Sequence, residues 1–75
     1  MEKYPKLPFD CVVMDKEPVE VANPYSGEKA TLTPQAVAVY DTIKGAEMTG
    51  DFELVRKGLD WFIKHYPKEY GVLLD

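Results

Sequence analysis

The spacing of apolar and polar positions along this chain changes near residue 33. Before that point the pattern is that of strands. "VEVA" (19–22) alternates apolar with polar residues, as a strand with one buried face does. "FDCVVM" (9–14) is rich in β-branched and aromatic residues and predicts an earlier strand. "EKATL" (28–32) predicts a returning one, so residues 9–32 read as an antiparallel β-meander of about three strands. Residues 1–8, "MEKYPKLP", carry two prolines and no periodicity and read as an extended arm. "DKEP" (15–18) turns the chain between the first two strands.

The stretch "NPYSGE" (23–28) joins the second and third. Asn23 at the first position and Pro24 at the second suit a type I turn, with Gly27 where the chain needs a positive φ. A phosphate-cradling loop would need further glycines, or a helix beginning directly after Gly27, and the sequence has neither. The stretch therefore reads as a hairpin corner.

From Thr33 onward the spacing is helical. Thr33 is a good N-cap and Pro34 the favoured first helical residue. Ala36, Val39, Tyr40, Ile43 and Ala46 then share one face. Gly50 stops this helix and Asp51 caps the next, which runs from about Phe52 to Tyr66 and ends before Pro67. Phe52, Val55, Leu59, Phe62 and Tyr66 form its apolar stripe. The short Gly-Asp link folds the two helices into an antiparallel hairpin with facing stripes. Gly45 and Gly58 each cost helix stability, about 1 kcal/mol against alanine, a cost that a close approach of another backbone or a ring would explain. "PKEYGVLLD" predicts one more helical turn, with Leu73 and Leu74 sealing an open end of the core. The expected architecture is one α+β domain over residues 1–75: arm (1–8), meander (9–32) and helical part (33–75), comprising an αα-hairpin and a short C-terminal helical turn.

Composition narrows the class. Seventy-five residues lie near the lower limit for an unassisted core. A 45% hydrophobic fraction, with 12% aromatic residues, argues against disorder. A single cysteine, Cys11, excludes an intrachain disulfide, and no cationic residue flanks it to activate the thiol. No stretch approaches a membrane span and no charged-then-apolar leader is visible, so the expected location is the cytoplasm, with no membrane partner. The net charge of −4 disfavours nucleic acid as a partner.

Two resemblances follow from particular residues. "GDFELVRKGLDWFIKHYP" (50–67) resembles the turn and second helix of a tetratricopeptide repeat, with Gly50-Asp51-Phe52 at the turn and Pro67 at the terminal proline. Ile43 and Phe62 depart from it, standing where the repeat wants small residues, and no second copy follows. This likeness implies only an αα-hairpin. "NPYSGE", "TPQAVAVYDTIKGAEM" and "GLDWFIKHYPKEYGVLLD" together resemble small uncharacterised proteins of tailed bacteriophages and marine metagenomes, over residues 20–75. This second likeness implies a phage or environmental source, with the host cytoplasm as location, and brings no activity or site residues.

No residue constellation points to an enzyme. Cys11 and His65 are the only soft or imidazole ligands, too few for zinc, and no loop has the alternating oxygen ligands of a calcium site. No metal or organic cofactor is expected. Ser26, the one serine, lacks the nucleophile-elbow context. His65 stands near the end of the second helix, an ordinary surface position. Glu53 with Lys57, and Asp60 with Lys64, are i, i+4 pairs suited to a solvated helix face.

One face calls for a partner. Leu54, Trp61 and His65 cluster on the second helix away from its stripe, with Lys57, Lys64 and Lys68 near Trp61. Either the meander lies over this face, or Leu54, Lys57, Trp61, Lys64 and His65 form an interaction surface anchored on the indole. The functional expectation is a non-enzymatic protein–protein interaction or accessory protein. It would be a homo-oligomer, in the first instance a dimer, with a host or phage protein as a further partner. The alternative is a nucleic-acid-associated accessory protein that stacks bases on Trp61 between lysines.

Overall fold

The computed structural model describes residues 6–14 and 16–74, and the parts of the arm and of "DKEP" that fall on residues 1–5 and 15 lie outside these. Five elements follow in order: β1 (Val19–Ala22), β2 (Lys29–Leu32), α1 (Pro34–Thr49), α2 (Phe52–His65) and α3 (Pro67–Leu73). The α+β class expected from the spacing is present. β1 and β2 pair antiparallel, with Val19 opposite Leu32 and Ala22 opposite Lys29.

Asparagine chemistry builds the corner between them. The Asn23 side-chain oxygen accepts from the Tyr25 N–H at 2.8 Å, and the Gly27 N–H donates to the Asn23 carbonyl at 2.9 Å. Gly27 has φ +78°, a left-handed conformation that only glycine adopts without cost. The Asn23 amide then reaches across to donate to the Val72 carbonyl at 2.7 Å, tying the hairpin to α3.

The sheet has two strands, not about three. Among the described residues, the stretch 9–14 expected to form the first strand has no ladder partner. Its burial alternates only over residues 9–12: Phe9 and Cys11 pack against the core, as does Leu7 before them, while Asp10 and Val12 are exposed and Val13 and Met14 are exposed as well. The apolar side of this segment is satisfied by helices, which leaves β1 without a neighbour on that edge. The meander is therefore a single hairpin, and it packs against α3 and α1.

Local signals set the helix ends. The Thr33 hydroxyl accepts from the Ala36 N–H at 3.2 Å, and Gly50, at φ +82°, closes α1 with its N–H on the Ala46 carbonyl. Asp51 caps α2 by accepting from the Leu54 N–H at 3.3 Å. Pro67 begins α3 at its first turn, so the tail forms a seven-residue helix where one turn was expected. The Thr33 hydroxyl also lies 3.2 Å from the Tyr66 hydroxyl, fastening the start of α1 to the junction of α2 and α3.

Phe62, Leu32, Ile43 and Val39 are fully enclosed and form the centre of the core. Ala36, Tyr40, Ala46, Val55, Trp61 and Leu73 surround them. Leu73 is buried and Leu74 half-buried, as the sealing role required. Phe52, expected in the α2 stripe, is 70% exposed. At about 100° per residue it falls just past Leu59, at the rim of the buried arc.

Candidate interaction surface

The buried arc of α2 is wider than one stripe. On a helical projection it runs about 160°, from Trp61 through Leu54, Gly58, Phe62 and Val55 to Leu59. α1 packs against α2, with Ile43 set against Gly58. The segment from Lys6 to Phe9 covers the Trp61–Gly58 side: the Trp61 indole Nε1–H donates to the Lys6 carbonyl at 2.7 Å. Farther along, the Phe9 ring stands 3.4 Å from where a Cβ on Gly58 would lie. Trp61 also meets Phe62 edge-on, with ring centroids 5.2 Å apart, and Tyr66 at 5.3 Å. The indole is only 6% exposed. Its cover comes from Lys6 of the arm, and Phe9, at the start of the stretch read as meander, lies beside Gly58.

Of the five residues predicted to share a surface, Trp61 is buried and Leu54 half-buried, while Lys57, Lys64 and His65 are exposed. The His65 ring packs against Trp61 at 5.6 Å between centroids, at the margin of the covered face. Lys57 pairs with Glu53 at 3.7 Å, as its spacing implied. Asp60 and Lys64 form no ion pair among the described residues, consistent with the few tenths of a kcal/mol that such an exposed pair offers. Lys57 and Lys64 thus lie in solvent to one side of an indole that is itself covered.

Ser26 and Cys11 are outside this set of five residues. The Ser26 hydroxyl accepts from the Glu28 N–H at 3.2 Å and belongs to the hairpin turn. Burial, and secondarily the adjacent Asp10 charge, hold the Cys11 thiol above its ordinary pKa, which favours the unreactive thiol form. Among the described residues no group of three His, Cys, Asp or Glu side chains could hold a metal ion. No described helix is long and apolar enough to cross a membrane.

Tyr25, Met48, Phe52 and Ile63 are exposed at separate places, and a consecutive run of exposed apolar residues lies at 12–14. Val12 is 77% exposed and Met14 83%. They flank a groove of about 470 Å³ whose floor is Val37 and Ala38 of α1, with Asp41 and Thr42 at its side. A sequence signal for it exists in "CVVM" (11–14). Four successive apolar residues in an extended segment point to both sides, so covering one side leaves the other in water.

No protein-family model, curated protein or solved structure matches this chain at a significant level.

Proposed function

We propose that this chain is a non-enzymatic interaction or accessory protein that self-associates through the surface around Val12 and Met14. The observation that carries this reading is the run of exposed apolar side chains at residues 12–14 beside the α1 groove. Singly exposed apolar residues are ordinary, but a contiguous run beside an apolar floor marks a surface that gains from being covered. A domain of this size has little core to spare, and association supplies burial that a short chain lacks. A dimer with two-fold symmetry is the simplest closed assembly.

Light scattering across a dilution series tests the proposal. The expected result is a dimer that dissociates on dilution, and that the double substitution Val12→Asp, Met14→Asp converts to a monomer with unchanged helix content. Both side chains are exposed within one chain, so the monomer loses little by their replacement. A monomeric wild type at every concentration, or a dimer indifferent to both substitutions, refutes it.

A further inference from the structure

The segment from Lys6 to Met14 packs against the core through Leu7, Phe9 and Cys11. Among the described residues it makes no backbone–backbone hydrogen bond. Its attachments are the Trp61–Lys6 bond and the half-buried side chains Leu7, Phe9 and Cys11. A segment so held opens locally at far lower free energy than the helices beneath it. Lys16, Glu17 and Pro18 are exposed, and Pro18 disfavours helical backbone at Glu17 and pushes it toward extended conformations.

We propose that two copies of this chain exchange their arms, residues 6–11 of each lying along the Trp61–Gly58 face of α2 in the other. This rests on the self-association proposed above and names the element that is exchanged. The chemistry of the occupant is defined by the chain itself. The face accepts a segment whose carbonyl takes the indole N–H and whose phenylalanine ring lies beside Gly58. A second copy's arm carries the same groups in the same order, so exchange re-forms the contacts of residues 6–11 that opening breaks.

Exchange adds what the closed monomer lacks. An arm that leaves its own helices carries residues 12–14 across the two-fold axis, where the same residues of the partner copy run in the opposite direction. Val12, Val13 and Met14 then cover one another, and the two β-branched valines suit antiparallel strand pairing. The strand character of "FDCVVM", unsatisfied in one chain, finds its ladder partner in the second copy.

Isotope-filtered NMR on the full-length chain tests this. Equal amounts of ¹³C-labelled and unlabelled protein are unfolded together and refolded, so that arms redistribute between copies. The expected result is intermolecular NOEs from the Trp61 indole of one copy to Leu7 and Phe9 of the other. A dimer whose intermolecular NOEs are confined to residues 12–14 overturns arm exchange and leaves self-association standing. A monomer at every concentration overturns both. Phe9→Ala provides a second readout. With helix content retained, exchange predicts a weakened dimer together with red-shifted Trp61 emission, and an unweakened dimer counts against it. If that substitution unfolds the chain, the wild-type NOEs decide alone.

Discussion

Two glycines at interior helix positions provide a matched test of how α1 and α2 pack. Replacing a mid-helix glycine by alanine gains about 1 kcal/mol of helix propensity. At Gly45 a new Cβ would meet nothing within 4 Å, so Gly45→Ala should keep the whole gain. For a domain of this size that raises Tm by about 4–8 °C. At Gly58 the new Cβ would stand 2.6 Å from Cδ1 of Ile43 and closer still to Cγ1 of the same side chain. Ile43 is fully enclosed, so it has no open space into which to turn. Overpacking of this kind costs about 1–3 kcal/mol, which leaves Gly58→Ala between neutral and about 2 kcal/mol destabilising. A double-mutant cycle isolates the contact. Ile43→Ala alone costs about 2–5 kcal/mol. In the Gly58→Ala background it should cost about 1–2 kcal/mol less, because the new methyl occupies vacated volume. Urea titrations followed by far-UV circular dichroism give all four corners. Equal stabilisation by the two single alanines, or a cycle without coupling, refutes this account of the helix crossing.

Asn23→Ala removes both the turn acceptor and the tie to Val72, and should cost about 1–3 kcal/mol; Asn23→Asp keeps the acceptor and should fall between it and the wild type in urea melts. Gly27→Val forces a β-branched residue to φ +78° and should cost at least about 1–2 kcal/mol, so an unchanged melting temperature would count against the turn. The Cys11 thiol pKa is raised, by burial first and by Asp10 second, so the folded chain holds this proton more tightly than the unfolded chain. Its contribution to stability is fully present below the ordinary thiol range and is lost as pH rises through the folded value. Alkylation rates should rise at higher pH in the folded chain than in the denatured one, and coincident profiles would refute the shift.

Helix boundaries are legible in the sequence because the chemistry that sets them acts within a single turn. Thr33 with Pro34, Gly50 with Asp51, and Pro67 each act on adjacent backbone, and distant packing has little power to move them. The hairpin is legible for the same reason, since Asn23 and Gly27 carry its geometry locally. The supposed first strand rests on a different kind of signal. Alternation at Leu7, Phe9 and Cys11 tells which side chains are covered, and says nothing of what covers them. A strand of a sheet and an extended segment laid on helices write the same pattern. The length of α3 was hidden because a seven-residue helix owes its stability to packing of Leu73 and Tyr70 more than to its own hydrogen bonds.

The position of Trp61 shows where angular reasoning from sequence stops. The projection places Leu54, Trp61 and His65 away from the stripe that meets α1, and the structure keeps them there. A helix with one neighbour buries a stripe of about 100°, so apolar residues over a wider arc call for a second covering element. The hairpin cannot serve, because Asn23 ties it to α3 and Leu32 anchors it within the core. What remains is the segment before residue 15, and Phe9 has the size and Lys6 the free carbonyl to close the face. That assignment also determines what is left uncovered. An extended segment apolar on both sides can satisfy only one of them against its own helices. The exposure of Val12 and Met14 is thus the direct consequence of laying this segment's other side over Trp61 and Gly58.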